Sequence, residues 1–388
     1  MNSQFLQYIS GDEIIAIVSD LVRINTVNLP GNEYLAVPIV SEKMRALGMT
    51  VNTYEKEPGR TNVVGKIGTG GKSIAFVSHM DTVPPGEMSL WETDPFEPVM
   101  KDGKIIGRGT LDDKGSFAAS YSACKAFLRA YPKFEGTVYL IAAADEELGS
   151  ALGIIYLVEE VGLRFDSCII PDGGTMNESV YGEKGILWIE ITSFGVQTHG
   201  SLPHLGKNAI VPLAELVVEL ETLELGTSYN HEFDGWTMNV GQFEGGSVAN
   251  MVPARARVVI DFRLPDGITR DEVLKQVEER VKKVQVRDPQ AKFEVKILHE
   301  TKPHIMDQKE AIVQAFDTAA RSLGIPMKYI TCGGNTVAKN LFEKGMPSIV
   351  HYPGNHELAH VPNEYVIIDD LIKTSVLYAE TMKNFFQL

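Results

Sequence analysis

Five residues have the types and settings of ligands for a two-cation hydrolytic centre: His79, Asp112, Glu147, Asp172 and His360. The densest stretches are "VSHMDT" (Val77–Thr82), "GRGTLDDKG" (Gly107–Gly115) and "AADEELGS" (Ala143–Ser150). Each places Asp, Glu or His beside the expected end of a strand, where core packing asks for no acid. His79 and Asp81 are two apart, so on a strand their side chains point the same way. A ligating imidazole needs its other ring nitrogen held by an acceptor, and Asp81 can supply one. Alone, this pair also fits a satisfied surface histidine.

Asp112 and Asp113 precede an expected helix, whose N-terminus favours acids in any case. The alternative is a carboxylate bridging two cations, which in such centres lie ~3.5–4 Å apart. Glu146 and Glu147 follow the apolar run "TVYLIAAA". One of them can bind a cation while the other takes the proton of the attacking water. Because a cation lowers the water pKa towards ~7, an ordinary carboxylate is then an adequate base. Position does not say which Glu does which. Asp172 follows a fourth apolar run, in "CIIPDGG". His360 competes with His351 and His356, and spacing does not choose among them. The mix of imidazole and carboxylate suits Zn²⁺, with Co²⁺ or Mn²⁺ as substitutes.

The elements that must position these groups read as an α/β protein. Residues up to about 182 alternate helical and strand patterns, among them "SIAFVSHMD", "SFAASYSACKAFLRAY" and "SCIIPDGG". That alternation implies a largely parallel central sheet with helices on both faces, and working groups beyond the carboxyl ends of its strands. Ser10 or Asp12 could cap the first helix. From 183 to 298 the texture becomes strand, helix, strand, strand, helix, strand, a ferredoxin-like order. A small domain is therefore expected there, inserted into a catalytic domain made of residues 1–182 and 299–388.

A net charge of −15 argues against a nucleic-acid partner, which demands a basic footprint. Three scattered cysteines make no disulfide framework. The N-terminus lacks the basic and apolar regions of a signal peptide, and no apolar run is long enough to span a membrane. The expectation is a cytoplasmic protein with no membrane partner.

With these residues in hand, the chain resembles the co-catalytic zinc hydrolases: acetylornithine deacetylases, succinyl-diaminopimelate desuccinylases, aminoacylases, dipeptidases and glutamate-releasing carboxypeptidases. The resemblance spans nearly the whole chain, through "SHMDTVPPG", "TDPFEPVMKDGKIIGRGTLDDKG", "DEELGS", "GEKG", "THGSLPHLGKNAI", "NMVPARA" and "AHVPNEYV". It implies His79 and Asp172 on one cation and His360 and Glu147 on the other, with Asp112 as the bridge. It further implies Glu146 as general acid/base, Asp81 orienting His79, and a cis peptide between Asp112 and Asp113.

The same resemblance makes the inserted domain a lid and homodimerisation surface. His199 becomes an oxyanion donor, often acting in the partner's site. Asn250 and Arg263 could grip a substrate carboxylate, although Arg263 could equally be a solvated strand-end charge. The loop "CGGNT" (Cys332–Thr336) matches one near the substrate's carboxylate end, implicating Gly334 and Asn335. It departs from the more usual Gly-Gly-Ser/Thr-Asp. "DDKG" and "PDGG" resemble the dipeptidase branch. Deacylases more often carry Met after the bridging Asp and Glu in place of Asp172.

The implied activity is hydrolysis of a linear amide bond in a small peptide, of dipeptidase or carboxypeptidase type, with N-acyl-amino-acid deacylation as the alternative. A two-metal phosphoesterase would use the same ligands, but no phosphate clamp is evident. A non-catalytic binding protein with a degenerate site would have no need of the complete ligand set with Glu146.

Overall fold

The computed structural model describes residues 2–227 and 232–388. The chain divides into two compact units. The larger holds Met1–Tyr181, Met306–Ile330 and Asn335–Leu388; the smaller holds Gly182–Ile305 and Thr331–Gly334.

In the larger unit the strands lie in the order Thr50–Glu55, Thr61–Gly68, Thr137–Ala143, Ser73–His79, Ser167–Ile170, Ser348–His351, followed by Glu178–Glu183, whose first part belongs here. The four strands from Thr137–Ala143 to Ser348–His351 run parallel. Their outer neighbours are antiparallel. Every residue of Ser73–His79, Thr137–Ala143 and Ser167–Ile170 is buried. A strand covered on both faces reads as a continuous apolar run, as these do. The helix Lys114–Ala130 packs against the C-terminal helix Ile368–Phe385. Its buried Ala118, Ala119, Ser120 and Ala123 admit a close approach. Of the two expected caps for the helix Gly11–Val22, Ser10 is the one used: its Oγ accepts the Glu13 N–H at 3.3 Å.

The smaller unit has the order strand Gly185–Phe194, helix Ile210–Leu220, strands Thr237–Gly245 and Arg255–Leu264, helix Arg270–Arg287 and strand Lys292–Thr301. The sheet runs Thr237–Gly245, Arg255–Leu264, Gly185–Phe194, Lys292–Thr301, all antiparallel. This is the β-α-β-β-α-β ferredoxin-like arrangement. Alternate residues Val258, Ile260 and Phe262, with Leu187, Ile189 and Ile191, meet Leu213, Leu216, Val273 and Val277 of the helices in one core.

The smaller unit reaches beyond the expected limit at 298. Strand Lys292–Thr301 keeps pairing with Gly185–Phe194 until Thr301 opposes Ile186, and His304–Ile305 then pair with Glu183 and Gly182. A boundary at 298 would cut a hydrogen-bonded strand. Thr331–Gly334 also belong here, with the Lys184 N–H donating to the Cys332 carbonyl at 3.0 Å. Among the described residues no helix is long and apolar enough to cross a membrane.

Candidate metal centre

His79 ends the buried strand Ser73–His79, and its Nε2 lies 2.9 Å from Asp112 Oδ1. The other oxygen of the same carboxylate, Oδ2, lies 3.0 Å from His360 Nε2. Glu147 Oε2 is 3.1 Å from that same His360 nitrogen. Asp172, just past the strand Ser167–Ile170, joins on the His79 side: ligand atoms of His79, Glu146 and Asp172 all lie within 4.8 Å of one another. Those of His79, Asp112 and Glu147 do the same. The five residues singled out as ligands thus gather around Asp112, and Glu146 stands among them.

The structure separates the three competing histidines. His351 is fully buried, its Nδ1 3.2 Å from the Tyr378 hydroxyl, and burial lowers its pKa to about 4. His356 sits exposed on the turn His356–Leu358. Only His360 of the three faces Asp112 and Glu147.

Asp81 does more than hold an imidazole. The His79 Nδ1–H points at the Asp81 main-chain carbonyl, 3.0 Å away, with the carboxylate Oδ1 further off at 3.5 Å. That leaves Nε2 free to face a cation. The Asp81 carboxylate accepts instead from the Glu146 N–H (3.1 Å), the Glu147 N–H (3.2 Å) and Asn28 Nδ2 (2.8 Å). One buried side chain therefore ties the His79 strand to the turn that carries both glutamates.

The Asp112 loop is held just as firmly. The Asp112–Asp113 peptide is cis. The buried Glu364 Oε1 accepts from the Leu111 and Asp112 N–H groups at 2.9 and 3.1 Å. Its Oε2 lies 2.6 Å from Arg108 Nη1. Asp113 Oδ2 accepts the His79 N–H at 3.0 Å. A Cβ on Gly115 would stand 2.0 Å from the Thr110 carbonyl oxygen, so this close return of the chain requires glycine.

Electrostatically the cluster is acid-rich. Burial would raise the Asp112 carboxyl, but His360 and His79 outweigh it and hold it far below the usual carboxylate range. Asp112 and Glu147 push His360 up to about 10. Burial, then Glu147, Asp81 and Asp112, pushes Glu146 up to about 8 against the opposing pull of His79. Burial, then Glu146 and Asp112, raises Asp172 well above its ordinary value. Glu146 and Asp172, two carboxyls that resist ionisation in one buried acidic cluster, mark a site suited to added positive charge.

The remaining expected residues fall elsewhere. In the smaller unit His199 and Asn250 are neighbours: His199 bridges to Met251, and the Gly200 N–H donates to the Asn250 carbonyl at 2.7 Å. The Ser201 N–H donates to His199 Nδ1 at 3.1 Å, which places that ring's proton on Nε2 in the neutral form. Arg263 is pinned within this unit, by Asp261 Oδ2 at 2.9 Å and the Gly333 carbonyl at 3.2 Å. Gly334 is exposed in the smaller unit and Asn335 in the larger. Sequence reasoning passed over Asn28, Glu364 and Arg108. Glu364 follows His360 by four residues within "AHVPNEYV", and its burial beside Arg108 has no mark in the local pattern.

Fold and site together define a metal-dependent hydrolase acting on peptide or N-acyl amide bonds. The chain belongs to Peptidase family M20/M25/M40, whose model matches residues 75–384. It is 32% identical to an uncharacterised metallohydrolase of Methanocaldococcus jannaschii, in an alignment covering 96% of this chain and 99% of that protein. It is 29% identical to a succinyl-diaminopimelate desuccinylase of Nitrosospira multiformis, over 83% of this chain and 86% of the relative. Among solved structures it resembles a tripeptidase of Staphylococcus aureus, with a TM-score of 0.80 and 25% identity over 98% of this chain and 100% of that one. Human carnosine dipeptidase 1 shares the fold, with a TM-score of 0.77 at 19% identity over 99% and 98% of the two chains.

Proposed function

We propose that the protein is a short-chain peptidase that hydrolyses its amide bond at a two-cation centre, with Glu146 carrying the proton. The observation that carries this reading is the Asp112 carboxylate, which offers one oxygen to His79 and the other to His360. The donor set fits a pair of divalent cations. Glu147 Oε1 is buried with no hydrogen-bond partner among the described residues, although its other oxygen is engaged. His79, Asp112 and Asp172 would hold one cation, and Asp112, Glu147 and His360 the other. Zn²⁺ suits this mix of nitrogen and oxygen donors best, with Co²⁺ or Mn²⁺ as substitutes. When bound, such cations polarise the scissile carbonyl and acidify the attacking water.

The protein's own groups do the rest. Glu146 takes a proton from the attacking water and delivers it to the leaving amine nitrogen. Asp81 fixes the two main-chain N–H groups that aim Glu146 and Glu147. His199, with its proton on Nε2, donates to the developing oxyanion. Asn250, Arg263, Gly334 and Asn335 receive the substrate's carboxylate end, for which the Arg263 fork is suited once it exchanges Asp261 for the ligand.

The smaller unit serves as a lid and as the surface of a homodimer. Among the described residues strand Lys292–Thr301 is the last of its sheet and carries half-exposed Val295, Ile297 and Leu298, the kind of edge that a second copy can cover. A cytoplasmic location accompanies this reading, supported by the buried Cys124 and Cys168, which form no disulfide among the described residues.

The likeness to a tripeptidase supports peptides as substrates, as do "DDKG" and Asp172. The desuccinylase relatives favour N-acyl amino acids as the second reading. A panel of dipeptides and tripeptides against N-acetyl and N-succinyl amino acids, with Zn²⁺, Co²⁺ or Mn²⁺ added, decides between them. Peptides should show the higher kcat/KM, and chelator should abolish it. Faster turnover of an N-acyl amino acid would move the assignment to deacylase.

A further inference from the structure

A second buried charge cluster stands behind the metal centre. Arg60, just before the strand Thr61–Gly68, is 6% exposed; Glu33 is 1% and Asp145 4% exposed. Arg60 meets Glu33 with two nitrogens, Nε at 2.9 Å from Oε2 and Nη2 at 2.8 Å from Oε1. Its Nη2 also reaches Asp145 Oδ1 at 2.9 Å. Glu33 Oε1 in turn accepts the Asp145 N–H at 3.1 Å. Asp145 Oδ2 accepts the Leu152 N–H at 3.0 Å, and its carbonyl accepts the Ser150 N–H at 2.6 Å.

Every polar group of Asp145 is therefore engaged. The residue sits at φ +64°, immediately before the turn Glu146–Leu148. The cavity is shaped for the guanidinium: a Cβ on Gly31 would stand 2.5 Å from Arg60 Nε and 2.8 Å from Glu33 Oε2. A buried ion cluster of this kind adds little stability over an apolar filling of equal volume. What the planar fork adds is direction, since it sets one conformation of Asp145 where a point charge would allow several.

We propose that Arg60, locked by Glu33, is a positioning residue for proton transfer: it acts through Asp145 to aim the Glu146 side chain, complementing the hold of Asp81 on the next two main-chain N–H groups. The inference rests on the reading of Glu146 as proton carrier. Misplacing a catalytic group by an ångström costs about 100-fold in rate.

The test uses the full chain loaded with Zn²⁺ and the peptide turned over fastest in the panel above. Arg60→Lys keeps the charge and loses the fork. It should lower kcat about 10- to 100-fold, with KM, bound Zn²⁺ and melting temperature close to wild type. In a Glu146→Gln background the same substitution should have almost no further effect, because residues acting as one unit are not additive. If Arg60→Lys does not fold, Glu33→Gln, which keeps an acceptor for the Asp145 N–H, is read in its place with the same expectation. Unchanged kcat overturns the proposal. So does an equal fold-loss with and without Glu146, or a loss explained by missing Zn²⁺. Full activity of Glu146→Gln alone would instead overturn the role of Glu146, a result visible before Arg60 is touched.

Discussion

Asp112 Oδ2 and His360 Nε2 lie 3.0 Å apart, although the two residues are far separated along the chain. His360 is the more exposed partner and Asp112 the buried one. Because His79 faces the other Asp112 oxygen, this carboxylate is the side chain common to both halves of the site.

Asp112→Asn should therefore weaken both cations together, by at least the ~10- to 100-fold expected even for an outer partner. Asp172→Asn should weaken one and leave the other. Titration of Zn²⁺ into the chelator-treated variants, read as stoichiometry, distinguishes the two. Loss of a single cation in Asp112→Asn would show that the carboxylate is not shared.

Cation binding should strengthen with pH. Asp112 and Glu147 hold the His360 pKa up to about 10, above its ordinary 6.5. In the metal-free protein these pairs stabilise the fold fully below about pH 6.5, and the effect is lost as pH rises through about 10. Zn²⁺ must displace the imidazolium proton. Calorimetry in two buffers of different ionisation enthalpy should show proton release near pH 7. Identical heats in both buffers would contradict it.

Glu146 acts with the same sign for a different reason, burial rather than an opposite charge. Its pKa, up to about 8, exceeds the ordinary 4.5, so the folded metal-free chain keeps a proton that the unfolded chain releases. Stability of the metal-free protein should fall as pH rises across that window. Glu146→Gln should accordingly raise the melting temperature more at pH 8.5 than at pH 5, with chelator present. An equal change at both pH values would count against an ionisable Glu146 in that environment.

Glu364→Gln tests the support under the Asp112 loop. The amide oxygen can still accept both N–H groups, but Arg108, 1% exposed, loses its charge partner. Breaking such a buried pair costs about 3–5 kcal/mol. The melting temperature should fall, and Zn²⁺ affinity with it by about tenfold or more. A stable variant with normal affinity would make Glu364 dispensable.

The parallel strands and the ferredoxin-like order were legible because buried strands are continuous apolar runs and half-buried elements alternate. His79, Asp112, Glu146, Glu147 and Asp172 stood out as candidates because acids or imidazoles at strand ends have no packing purpose, but position did not divide the roles of Glu146 and Glu147. His360 could not be separated from His351 by spacing, since the difference is burial beside Tyr378 against exposure beside Asp112. Glu33, Arg60 and Glu364 escaped notice for a related reason. Each lies far along the chain from its partner, and a buried charge looks like a surface charge until folding supplies the opposite one. The end of the smaller unit was misplaced at 298 because the strand continues through the polar "HET" (His299–Thr301), held by pairing to Gly185–Phe194.

The most direct measurement is paired Zn²⁺ content and peptide turnover of Glu146→Gln. Two Zn²⁺ per chain, with kcat reduced by about 100- to 10,000-fold, is the expected result. Unchanged turnover with both ions retained would contradict Glu146 as the proton carrier beside a two-cation centre.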